Sequence, residues 1–351
     1  MKYNTATLDN GLRAIHCPSA SPVVYCGYEV CAGTRDEKEG EEGMAHFCEH
    51  TTFKGTRHRS AMQILNRLES VGGDLNAFTN KEDTVYYSAI LKNHFPRAVD
   101  LLTDIVFGST YPQAEIDKEV EVICDEIESY NDSPAELIFD DFENAIFAGH
   151  PLGHNILLRT PSITLPPYQP QHIVHDKGTH QAHVMVGNRA YSAHDNHRLP
   201  LYLLNNILGG PGMNARLNIS LRERNALVYT VESSMVSYSD TGLWCTYFGC
   251  DPKDVKKCLR LVRRELDRVM DRPLSESQLK AAKRQIKGQI GVACDNRESF
   301  ALDFGKAFLH YGWLKDVEKL MADIDNVTAR EIQQAALDIF APDRMTTLIY
   351  E

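Results

Sequence analysis

The stretch TVYYSAILKNHFPRAVDLLTDI, residues 84–105, reads as a strand rich in aromatic and β-branched residues followed by a helix. A second stretch, GLWCTYFGCDPKDVKKCLRLV at 242–262, follows the same plan. Further on, PQAEIDKEVEVICDEI (112–127) can be laid on LSESQLKAAKRQIKGQI (274–290), so two successive elements repeat in the same order. Matching order and spacing at low identity indicate an internal duplication. The fold class expected is α+β, with two similar domains, each a mostly antiparallel sheet packed with helices.

Working outward, LDNG at 8–11 signals a turn, LRAIHC and VVYCGYEV read as strands, and residues 33–43 form a charged, glycine-rich loop. A helix is predicted from about Met44 to Phe53. Another spans AMQILNRLESV (61–71), stopped by Gly72 and Gly73. In the second half LYLLNNILGG and ARLNISLRERNAL read as helices, and YTVESSMVSY as a strand. The Pro-rich run RTPSITLPPYQPQ (159–171) suggests an extended linker. The predicted division is therefore 1–165, a linker at 166–180, and 181–351.

The 351 residues suit two domains rather than one core. A net charge of −11 argues against a general nucleic-acid binder, which needs a basic face for phosphates. No run approaches the roughly 18 apolar residues of a membrane span. The first residues lack the apolar core of a secretory signal. Nine cysteines without a CxxC pattern read as reduced thiols. The expectation is a cytoplasmic protein, with a periplasmic one stripped of its signal as the alternative.

The two halves differ chemically: the second has basic residues where the first has acids, and it lacks one motif. The first contains EEGMAHFCEHTTFKGT (41–56), and the second has nothing like HFCEH. On a helix His46 and His50 leave the same face and can hold one ion, while Glu49 stands beside that ion. A hydrolytic zinc site needs three protein ligands, an open position for water, and a base. HxxEH supplies two ligands and the base in one turn, reversing the HExxH order. Cys48 lies two residues from each histidine and so points to another face.

The third ligand should be a carboxylate on another element. In IDKEVEVICDEIESY, Glu126 has Val122 and Ile123 one turn behind it and Tyr130 one turn ahead. That places Glu126 on the burying face, where a carboxylate requires a partner. Asp125, Glu121 and Glu128 suit a solvated face. Glu119 lies two turns before Glu126 on almost the same face and can support the site.

HFCEH followed 76 residues after His50 by Glu126, with the Glu119–Glu126 spacing, resembles the inverzincin metallopeptidases of the pitrilysin, insulysin and mitochondrial-processing-peptidase type. The resemblance implies that His46, His50 and Glu126 bind Zn2+, that Glu49 is the general base, and that Glu119 supports the site. GGDLNAFTNKEDTVYY (72–87) resembles the family's substrate-pairing edge strand, which puts Asn76 and Ala77 in peptide binding. NNILGGPGMNARLNISLRERNALVYTVESS (205–234) resembles the second-domain signature, which puts Arg222 and Tyr229 against the substrate. The implied activity is that of a zinc endopeptidase cutting peptides or unfolded segments. Two chains would form its chamber, as a homodimer or as a heterodimer with a related chain. Some relatives of this fold are non-catalytic binding or scaffold subunits, and these characteristically have a damaged motif. By family comparison the first domain is short by something like 60 residues after residue 158, about half a small domain.

Overall fold

In the computed structural model of the chain the described residues are 2–38, 40–153 and 165–351. The chain opens with a hairpin, β1 (Asn4–Thr7) and β2 (Arg13–His16), then β3 (Val23–Val30). Helix α1 (Met44–Thr52) and helix α2 (Ala61–Glu69) follow, then β4 (Asp74–Thr79) and β5 (Thr84–Leu91). Next come α3 (Phe95–Gly108), α4 (Gln113–Asn131) and α5 (Pro134–Ile146). The second half runs β6 (His172–His175), β7 (Ala182–Ala190), α6 (Arg198–Gly209), β8 (Val228–Ser237), β9 (Gly242–Cys250), α7 (Val255–Asp271) and α8 (Glu276–Ala293). It closes with α9 (Arg297–Tyr311), α10 (Val317–Asn326), α11 (Ala329–Phe340) and β10 (Thr346–Tyr350).

Packing divides the chain into two units. Among the described residues, one holds those up to Glu128 together with Gly291–Glu318, and the other those from Ser129 to Ile290 together with Lys319–Glu351. This differs from a single boundary at 165. Helix α5, from the first half, packs on β7 and β10, whereas α9, from the second half, packs on β3. An amphipathic pattern tells that a helix buries one face, not which sheet receives it. Part of the linker expected at 166–180 is strand β6, which pairs in parallel with β10. The residues around the expected shortening after 158 lie outside the described ones.

In the first unit β3, β5 and β4 form an antiparallel sheet in that spatial order. Ala98, Leu101, Leu102 and Ile105 recur on one face of α3 at helical spacing and bury against Ile64, Leu68, Tyr86 and Ile90. In the second unit the sheet order is β6-β10-β7-β9-β8. One side of that sheet carries α6, α7 and α11 around Trp244 and Phe248. The other carries α5, through Ile138, Phe142 and Ile146, against Met185 and Leu348. Both units are thus mostly antiparallel sheets with helices, the α+β class expected.

The helix expected over ARLNISLRERNAL is present but short and widened into a π-helix over Asn218–Glu223. The Arg224 N–H donates to the Ile219 carbonyl five residues back, and the Asn225 side chain donates to the Ser220 carbonyl. Ala226 then takes a positive φ of 49°. An asparagine that satisfies local carbonyls competes with helix propagation. Among the described residues no helix is long and apolar enough to cross a membrane.

Glu29 on β3 sits where burial, and then the Asp83 charge, push its carboxyl up to about 7. A carboxyl raised in the folded state favours the fold fully below its unfolded value, near 4.5. That contribution is lost as the pH rises through about 7. We therefore expect Glu29→Gln to flatten the pH dependence of thermal unfolding between pH 5 and 8. The variant should gain on the order of 2 kcal/mol relative to wild type at the alkaline end, allowing for solvent screening. Parallel wild-type and variant curves across this range would contradict the assignment.

Candidate zinc centre

Helix α1 begins at a strained point. Gly43 has φ 80°, so its left-handed backbone turns the loop into the helix at a position where a side chain would be costly. The first N–H groups of a helix have no partner within it. Here the buried Glu37 carboxylate accepts from the Gly43 and Ala45 N–H groups, at 3.1 and 2.7 Å. A negative charge at this end is also favoured by the helix dipole. The other end is tied by the Thr52 hydroxyl, which lies 3.3 Å from the Tyr86 hydroxyl of β5. With α1 packed on β4, its polar face is set in direction.

That face presents His46 and His50. Their Nε2 atoms lie 3.2 Å apart, and the rings meet edge-on at a centroid distance of 4.5 Å. The Glu126 carboxylate of α4 approaches both: Oε2 is 3.5 Å from His50 Nε2, and Oε1 is 4.0 Å from His46 Nε2. One ligand atom from each of the three falls within 4.8 Å of the others. Among the described residues no other group of three His, Cys, Asp or Glu side chains meets that condition. Ligand atoms sharing one tetrahedral zinc at its usual bond lengths stand about 3.3 Å apart. The imidazole pair meets that spacing, and Glu126 is within a small side-chain adjustment of it. The donor set, two imidazoles and a carboxylate, is one that zinc takes in hydrolytic sites.

Glu119 lies behind the site. Its Oε1 accepts from His50 Nδ1 at 3.0 Å, and its Oε2 accepts from the Lys54 ammonium at 2.6 Å. Burial works to raise the Glu119 carboxyl, but the bonds from Lys54 and His50 outweigh it and hold it below its ordinary value. A carboxylate receiving Nδ1–H leaves the His50 Nε2 lone pair directed at the metal position. Glu49 is held separately: the Thr79 hydroxyl of β4 donates to its Oε2 at 2.7 Å. Cys48 is half-buried, and burial raises its thiol.

The structure brings together His46, His50, Glu126 and Glu119, but Glu126 is not on the buried face as expected. Glu126 is 53% exposed, whereas Glu119 is 7% exposed. The half-buried row of α4 runs through Ile116, Glu119, Ile123 and Ile127, and Glu126 flanks it with Val122 at the open side. Asn76 and Ala77 lie on β4, opposite Tyr87 and Tyr86 of β5, and the other edge of β4 has no strand partner among the described residues. Arg222 and Tyr229 belong to the second unit. There the Arg222 guanidinium lies 5.8 Å over the Tyr229 ring, which is itself 82% exposed. Two residues that organise the site, Glu37 and Lys54, carried no motif signal, and Thr79 lies in the family-like GGDLNAFT stretch without having been given a role. Lys54 and Thr79 lie inside the quoted stretches, and only their partners distant in sequence give them roles.

Comparison with known proteins gives the family. The family model "Insulinase (Peptidase family M16)" matches residues 15–160, and "Peptidase M16 inactive domain" matches residues 135–286. A zinc protease of Mycobacterium tuberculosis is 30% identical over 396 aligned positions, covering 94% of this chain and 89% of its own length. The beta subunit of the Bos taurus mitochondrial-processing peptidase is 29% identical over 391 positions, covering 93% of this chain and 80% of the subunit. A protease of Helicobacter pylori of known structure superposes with a TM-score of 0.90 at 17% identity, over 100% of this chain and 99% of that one. The chain belongs to the M16 peptidase family.

Lys54→Met removes the ammonium that balances Glu119 while keeping the length of the side chain. Zinc affinity is expected to fall about 10- to 100-fold, as for other residues that support a metal ligand from behind. Competition against a chromophoric chelator measures this, and an unchanged affinity would remove Lys54 from the site.

Proposed function

We propose that this chain is a zinc-dependent endopeptidase acting on peptides or unfolded segments. The observation that carries the reading is the convergence of His46, His50 and Glu126, with Glu49 beside them and not engaged as a ligand. Bound there, zinc would polarise the scissile carbonyl and bring the pKa of a water toward neutrality. Glu49 takes the proton of the attacking water and returns it to the departing amine. The Thr79 hydroxyl, donating to one oxygen of Glu49, leaves the other for that proton. Glu119 keeps His50 in the tautomer with Nδ1 protonated.

The substrate would add as a strand along the free edge of β4 at Asn76 and Ala77. Backbone pairing gives affinity with little sequence selectivity. Arg222 and Tyr229, stacked and open to solvent, are assigned to substrate contact. In this reading two chains, alike or related, enclose the peptide, and Arg222 and Tyr229 serve the partner's zinc. The intact HxxEH motif weighs against a purely scaffolding subunit.

Glu49→Gln separates these readings. The variant should keep one zinc per chain while cleavage of a quenched fluorescent peptide falls to background. Cleavage at the wild-type rate would end the assignment of Glu49 as base.

A further inference from the structure

The duplication allows the two sheets to be compared strand by strand. The sequence match equates β5 with β9 and α3 with α7. The pairing then equates β3 with β7 and β4 with β8, because each of these flanks the matched strand on the same side. The short strand before each set is β2 in the first unit and β6 in the second. In the second unit β10 lies between β6 and β7, parallel to the one and antiparallel to the other. Among the described residues the first unit has no strand in that place: β2 pairs only with β1, and β3 only with β5.

Among the described residues nothing fills that place. Three adjoining cavities of about 540, 680 and 530 Å³ share Ile15 of β2 and Tyr25 or Cys26 of β3. Ala301, Phe304 and Gly305 of α9 form their roof. In the second unit α5 covers β7 and β10 together, and α9 covers β3 in the same manner, with no described strand beside it. A second gap accompanies the first. There α11 packs on α7 and β7, but α3 keeps Phe95, Val99 and Phe107 at 40, 36 and 60% exposure. Val255, the first residue of α7 as Phe95 is of α3, is 6% exposed. Among the described residues the first unit therefore has no helix followed by a strand to match α11 and β10. The alignment with the Mycobacterium tuberculosis relative runs over 396 positions, although 94% of this 351-residue chain is only about 330, a shortfall larger than one helix and one strand require.

We propose that the free edge of β3 is a docking slot for a helix–strand segment of a separate polypeptide, an amphipathic helix followed by a β-branched apolar strand. The strand enters antiparallel to β3 and parallel to β2, between them and beneath α9. Its backbone satisfies the unpaired edge of β3, an edge that otherwise invites uncontrolled pairing. Its side chains fill the cavities above and below the sheet, as those of β10 are buried in the second unit. The helix covers Phe95 and Val99. This surface lies on the opposite edge of the sheet from β4 and is independent of the peptidase reading.

The probe is a labelled synthetic peptide of residues 327–351 of this chain, which carries α11 and β10 in one piece. It should bind the full chain saturably and at one copy per chain, and raise the unfolding temperature. Ala301→Trp fills the slot from α9, and Ile15→Lys places a charge on its β2 wall. Either variant should weaken binding tenfold or more, with circular dichroism unchanged in at least one. Strand exchange at β10 in the second unit would leave both variants binding as wild type, and that result overturns the proposal. So does a scrambled peptide that binds equally, or the absence of binding. Self-association of the wild type that Ala301→Trp abolishes would give the slot to a second copy and overturn the assignment to a separate polypeptide.

Discussion

The site depends on one constraint: two imidazoles on a single helical turn must meet a carboxylate from another helix at a common point. His46 and His50 satisfy their half through spacing alone, since residues four apart share a face. The other half requires α1 and α4 to be fixed relative to each other. Glu119 does this, because one carboxylate accepts from His50 on α1 and from Lys54 just beyond it. Glu37 caps the start of α1 and Tyr86 contacts its end, so the helix is held at both termini. The ligands are thereby directed by groups that do not bind the metal themselves, an arrangement that sets tautomer and orientation before an ion arrives.

The position of Glu49 follows from the same packing. It lies one residue before His50, so it leaves the helix toward β4 rather than toward α4, and the Thr79 hydroxyl receives it there. The proposed base and the edge strand proposed for substrate are thus parts of one local structure.

Much of this was legible in the chain. The histidine pair and the seven-residue spacing of Glu119 and Glu126 are periodic signals, and periodicity survives translation into helices. The duplicated order of elements announced two like sheets. The sequence was mute where contacts are long-range. Lys54 and Thr79 look like surface polar residues until their partners, 65 and 30 positions away in the chain, are known. Glu126 was expected to be buried because Val122 and Ile123 precede it, yet the helix buries the row through Glu119 instead. Likewise α5 and α9 carry clear apolar faces, but nothing in the pattern says that each covers the other half's sheet. Comparing the two sheets shows a strand position that no described residue fills in the first.

The central claim is that His46, His50 and Glu126 hold one zinc ion, with Cys48 turned away. X-ray absorption spectroscopy of the zinc-loaded protein tests it most directly. The account predicts a shell of nitrogen and oxygen neighbours at about 2.0–2.2 Å with the multiple-scattering pattern of two imidazoles. A sulfur neighbour at about 2.3 Å, or a pattern with fewer than two imidazoles, would contradict it.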